Sequence, residues 1–168
     1  MTKIIGVSLK YIYFPLIFSF VALITSCVSL TPIESNIETH QKPANTVEPF
    51  SAKVTTHVVH VNTPKVSLML ESPRYPNYKR GFRMYIWNEN IKEFETLVAK
   101  IEKEGSGTPM VGIVKLGITQ WSYMLYRENN EKWVHFRSYD GEFLFSEKDL
   151  IAIVALLEKV KIMNGKAS

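Results

Sequence analysis

The sequence predicts an α+β domain, a mainly antiparallel sheet of about five strands with two helices packed on one face. Three observations point there. Short alternating runs separated by tight turns fill Met110 to Phe145, and two stretches carry apolar residues at helical spacing. At 168 residues, 46% apolar and 21% charged, the chain holds one modest core.

The elements follow in order. Val66 to Leu70 reads as a first strand, and Ser72-Pro73-Arg74-Tyr75-Pro76-Asn77 as a turn-rich link to a strand over Gly81 to Trp87. A helix is predicted from Ile91 to Glu104, with Asn90 as cap, Glu93 three residues on, and Ile91, Phe94, Leu97, Val98 and Ile101 forming one stripe. Gly105-Ser106-Gly107-Thr108-Pro109 stops it. Strands follow at Met110 to Leu116, Thr119 to Glu128, Lys132 to Tyr139 and Glu142 to Phe145. The last helix starts at Ser146, capped with Asp149 at its third position, and runs to Met163 before Asn164-Gly165. A shift of 59 residues lays Phe94, Leu97, Val98 and Ile101 on Ile153, Leu156, Leu157 and Val160, which is either an internal repeat or the match any two amphipathic helices give.

Register decides which side chains meet the core. Asp140-Gly141 suits a two-residue turn pairing Tyr139 with Glu142, with Val134, Phe136, Phe143 and Phe145 on one face. For the preceding hairpin, a two-residue Asn129-Asn130 loop sets Glu128 against Glu131, whereas a three-residue loop would pair Glu128 with Lys132. The first alternative buries Trp121, Tyr123 and Leu125, each worth about 1.5–3 kcal/mol; a cross-strand charge pair is worth at most about 1 kcal/mol. Burial wins.

The amino terminus carries the clearest functional signal. Lys3 and Lys10 precede an uncharged, largely apolar stretch from Tyr11 to Thr25, the basic and apolar regions of an export signal. It ends in Ile24-Thr25-Ser26-Cys27. This run resembles the lipobox of bacterial lipoproteins, and the resemblance covers the leader alone. It implies that a diacylglyceryl group is attached to the Cys27 sulfur and that the leader, residues 1–26, is cleaved after Ser26, leaving Cys27 as the first residue of the mature chain. Acyl chains hold a protein to a bilayer because each buried methylene contributes about 0.8 kcal/mol, and two or three chains suffice for stable anchoring. In lipoproteins of two-membrane bacteria an Asp after the modified Cys retains the protein in the inner membrane. Val28 stands there, so the resemblance implies an outer-membrane location facing the periplasm where the host has one.

Residues 27–65 read as a Pro-containing tether. They hold Pro32, Pro43, Pro49 and Pro64, no Gly, balanced charge and one aromatic, Phe50, too little apolar surface to offset ordering entropy. Within the tether, Val54 to Val61 is β-branched enough to pair with an edge of the main sheet, with His57 and His60 on opposite faces. The folded domain is expected over residues 66–168.

The outer face of the predicted hairpins is unusually aromatic. Tyr126, Trp133, His135, Arg137 and Tyr139, with Met124, form a candidate binding surface in which large stiff rings and a planar donor meet a protein or glycan of the envelope. The competing reading is a half-buried sheet covered by another segment.

Other chemistry finds little support. One Cys and four His make no cysteine-rich zinc site, and His57 and His60 point apart, so no metal is expected. A net charge of +4 without a dense Lys/Arg cluster, on an exported chain, argues against nucleic acid. No G-x-S-x-G, H-E-x-x-H or phosphate-loop pattern occurs, so no catalytic residue and no cofactor is expected beyond the lipid on Cys27. The expectation is a non-catalytic, membrane-anchored binding or assembly module. The rivals are an inhibitory, immunity or exclusion-type lipoprotein, and a wall-directed hydrolase using His135 beside Arg137.

Overall fold

The computed structural model describes residues 28–41, 50–61, 65–73, 81–105, 109–139 and 141–166. Among the described residues ten strands and two helices follow one another as β1 (Val28–Ile33), β2 (Glu38–Gln41), β3 (Phe50–Lys53), β4 (Thr55–Val61), β5 (Val66–Glu71), β6 (Arg83–Ile86), α1 (Ile91–Lys103), β7 (Met110–Leu116), β8 (Thr119–Glu128), β9 (Glu131–Ser138), β10 (Gly141–Ser146) and α2 (Glu147–Lys166). A 3-10 turn, Asn88–Asn90, leads into α1. The α+β class therefore holds, with more strands than the sequence predicts.

The strands form two four-stranded antiparallel sheets, β1-β4-β5-β6 and β10-β9-β8-β7, and a two-stranded arm, β2-β3. With the arm set aside, each sheet is a meander followed by a helix. The helical stripes that match at a shift of 59 residues thus fall on equivalent elements, α1 and α2, of two halves with the same order. Both helices pack into one core: Phe94 of α1 stacks on Phe136 of β9, and Ile153, Leu157 and Val160 of α2 share a cluster with Leu68 and Leu70 of β5. Val59 and Met69, on the opposite face of the first sheet, are buried outside that cluster.

The segment expected as a tether is the main correction. Residues 28–41 and 50–61 supply β1 to β4, and Ile37, Thr39, Val54 and Thr56 are buried. This stretch need not bury a core of its own, because β4 pairs with β1 on one side and β5 on the other, and the arm lies against β10. The expected edge strand is therefore an internal one. Its histidines do face opposite ways: His57 sits level with Met69 and is half-buried, while His60 sits level with Val66 and is exposed.

The hairpin registers follow the burial argument. Glu128 pairs with Glu131 across Asn129-Asn130, whose φ values of 53° and 64° are those of a type I′ turn. Trp121 and Leu125 are buried and Tyr123 half-buried. The last hairpin differs from expectation by two residues. Ser138 pairs with Gly141 and Arg137 with Glu142, so Tyr139 stands outside the ladder. A two-residue slip keeps every side chain on its face, and Val134, Phe136, Phe143 and Phe145 remain in the core. Gly141 fixes this register, because its φ of 145° suits glycine and a Cβ there would lie 2.2 Å from the Phe82 ring.

Both helix ends also differ. Asn90 makes no side-chain cap; its Oδ1 instead accepts the Gly117 N–H at 2.9 Å, tying the start of α1 to the β7–β8 turn. The 3-10 turn already supplies partners there, since the Asn90 N–H donates to the Trp87 carbonyl and the Ile91 N–H to the Asn88 carbonyl. The second helix continues past Met163 to Lys166, because Asn164 is buried and held by the first sheet.

Candidate functional site

The side of the second sheet turned away from the helices is set by pairing alone. Val111 of β7 lies opposite Met124 of β8, which lies opposite His135 of β9, opposite Leu144 of β10. The next row is Ile113, Ser122, Arg137 and Glu142, and Tyr126 pairs with Trp133 in the row on the other side. Residues directly opposite on a sheet share a face, so Tyr126, Trp133, His135 and Arg137 are brought together as expected. Tyr139 is not: it lies in the turn beyond the ladder, almost fully exposed.

The face is broader and more apolar than its aromatic members alone. Val111 is 69% exposed, Ile113 66%, and Met124 is exposed beside them. These side chains were legible, since Val111 and Ile113 alternate with Gly112 and Val114 on an edge strand. Tyr123 covers Gly112 from the inner side, where a Cβ would meet its hydroxyl.

Charges at the other edge are already engaged. The Glu142 carboxylate lies 3.2 Å from His135 Nε2 and 3.6 Å from Arg137 Nε. The imidazole and guanidinium thus share one anion, leaving Arg137, itself exposed, able to meet a second acceptor. The hydroxyl beside them, Ser122 Oγ, donates to the Arg137 carbonyl at 3.0 Å. Burial, with Glu128 adding to it, raises the Tyr126 hydroxyl above its usual pKa, so the phenol stays neutral and can donate.

The arm borders this face. Thr39 Oγ1 accepts the Leu144 N–H at 3.2 Å and donates to its carbonyl at 3.4 Å, so a buried side chain completes the pairing of β10. One residue on, the edge of the His40 ring meets Trp133 with centroids 4.8 Å apart at 76°. Trp133 is therefore partly covered by the chain expected to be a tether.

Beneath His40 opens a cleft of about 540 Å³ between the arm, the β8–β9 turn and the start of α2. Ser146, Asp149 and His40 meet there, but not in the order of a nucleophilic triad. The carboxylate sits between the other two: Ser146 Oγ donates to Asp149 Oδ2, and His40 Nε2 lies 3.5 Å from the same oxygen. An imidazole must touch the hydroxyl to take its proton, and this one does not. The geometry is a helix cap instead, with the Asp149 N–H donating to Ser146 Oγ at 3.2 Å and the Ser146 N–H to Asp149 Oδ2 at 3.1 Å. Lys132, also in the cleft, is used up on the Ile101 and Glu102 carbonyls at the end of α1 and on Glu147.

Among the described residues no group of three His, Cys, Asp or Glu could hold a metal, and no helix is long and apolar enough to cross a membrane. Cys27, Ser26 and the leader lie outside the described residues. No family model matches the chain, and no curated protein or solved structure matches it.

Proposed function

We propose that this protein is a lipid-anchored envelope lipoprotein whose second sheet docks a partner protein, without catalysis of its own. The observation that carries the docking is the open face running from Val111 and Ile113 through Met124 to Tyr126 and Trp133, apolar side chains left on the side away from both helices. Contiguous exposed apolar surface on a folded domain marks an interaction site. A protein partner suits it better than a glycan. β-branched side chains beside an edge strand match another polypeptide, whereas sugar recognition needs polar groups aimed outward, and His135 is already turned to Glu142. The anchor reading is supported by the Ile24-Thr25-Ser26-Cys27 run after an apolar leader. The non-catalytic reading is supported by the cleft, whose Ser146, Asp149 and Lys132 serve caps and carbonyls.

Photo-crosslinking in the native host tests the docking. A crosslinking amino acid at Met124 is expected to trap one discrete protein species, and the same residue at Thr96, on the solvent side of α1, is expected to trap none. Adding Ile113→Lys should abolish the product while leaving the melting temperature unchanged. Equal labelling from both positions would contradict the proposal.

A further inference from the structure

We infer that the folded domain sits directly on the bilayer, through the end of the molecule where β1 begins and α2 finishes. This rests on the lipid anchor proposed for Cys27 and deepens it by naming the surface that meets the membrane. β1 opens at Val28, so one peptide bond separates the anchor residue from a strand already paired in a sheet. One residue spans at most about 3.6 Å. The domain has no slack with which to stand away from the headgroups.

Topology fixes which surface is held there. Val28 pairs with Val61 and Ser29 with His60 at the end of β4, and His60 pairs with Val66 at the start of β5. Asn164, near the end of α2, grips Val66 through both its backbone groups: Oδ1 accepts the N–H at 2.6 Å and Nδ2 donates to the carbonyl at 3.1 Å. The start of β1 and the last turns of α2 therefore share one end of the first sheet.

Exposed apolar side chains stand at that end on both sides of the first sheet, because Leu30 pairs with Val59 on the face away from the helices while Ile162 and Met163 belong to α2. Val28 and Leu30 are 54% and 45% exposed, and Ile162 and Met163 are 59% and 44% exposed. Nothing in the core explains apolar residues on the solvent side of the last turns of a helix. Lys65, Lys159, Lys161 and Lys166 belong to this end, but Lys161 is paired with Glu95 and Glu158, and Glu89 and Glu93 before and in the first turn of α1 oppose the others, because Asn88 is joined to Asn164. Charge is near balance, so apolar contact and not attraction to anionic lipid holds the domain down. Tyr139 lies towards the other end: Gly141, two residues on, abuts Phe82, whose N–H donates to Ser72 Oγ just past the far end of β5.

The test uses the protein processed in the host, extracted and reconstituted into vesicles of phosphatidylcholine with phosphatidylglycerol, carrying a shallow lipid-borne quencher. Leu30→Cys, Met163→Cys and Tyr139→Cys variants carry an environment-sensitive fluorophore, and the mass of each is read first. With lipid present on Cys27, labels at 30 and 163 are expected to shift to the blue and be quenched several-fold more than the label at 139, equally in low and high salt. Lipid on Cys27 with all three labels in water would overturn the membrane seat and leave the anchor standing. Loss of the quenching in high salt would overturn the apolar contact in favour of electrostatic binding. Absence of lipid on Cys27 would overturn the anchor and the seat together.

Discussion

Asn164 carries more of the fold than its place near a chain end suggests. Its side chain replaces a strand partner for Val66 and also donates to Asn88 Oδ1 at 2.8 Å, joining the end of α2 to the first sheet and to the turn before α1. Asn164→Ala leaves the buried Val66 N–H without that partner, a loss of about 1–3 kcal/mol. Urea unfolding is expected to show that drop, and a change below about 0.5 kcal/mol, the range of a neutral surface substitution, would count against the bridge. Asp149 links electrostatics to stability. Burial pushes its pKa up, but the contacts with His40 and Ser146 and the N–H donors of Glu38 and Ser146 outweigh burial and hold it below the usual carboxylate value of 3.8. A carboxyl depressed in the folded state contributes stability that is fully present above its unfolded pKa and lost as pH falls through the folded one. Stability should therefore fall as pH drops below that value, and Asp149→Asn should flatten this acid limb while lowering stability near neutral pH. An unchanged acid limb would show that other carboxyls govern it.

Hairpins and helices show what could be read from the sequence. The stripe of α1 and the alternation of β7 to β10 each bury a full face, so period and burial located them closely; the stripe Phe94, Leu97, Val98 and Ile101 is buried throughout. The Asn129-Asn130 register was legible because three large side chains outweighed a charge pair. The last hairpin was legible only to within two residues: shifting it by two moves no side chain to the wrong face, and the contact of Gly141 with Phe82 selects the observed pairing. Strands β1 to β3 were illegible for another reason. Their apolar residues are sparse, and the elements they lie against, β4 for β1 and β10 for the arm, do not show in local pattern. The candidate face was half legible: its aromatic row was visible, but Glu142 as the shared anion and His40 against Trp133 depend on pairings absent from local pattern. The β8–β9 turn offers a direct check. Asn130, at φ 64°, tolerates Gly within about 0.5 kcal/mol, while Asn130→Val forces a β-branched residue into the left-handed region at about 1–2 kcal/mol. Equal stability of the two variants would mean that the turn is not held in this form.

At the scale of the whole molecule, the proposed function gives the two sheets separate tasks. The first begins one residue after the proposed anchor, and the second turns an apolar face outward beyond the helices. The arm β2-β3 joins them, since β3 leads through Val54 into β4 while Thr39 of β2 completes β10. A partner bound on the second sheet would thus be held at a fixed distance from the bilayer and not on a flexible lead. Both tasks presuppose the lipid. The intact mass of the membrane-extracted protein, measured beside a Cys27→Ala variant, tests this most directly. The wild type is expected to lack residues 1–26 and to carry added acyl mass, while the variant keeps its leader and gains no lipid; a wild type of full length without acyl mass would contradict the account.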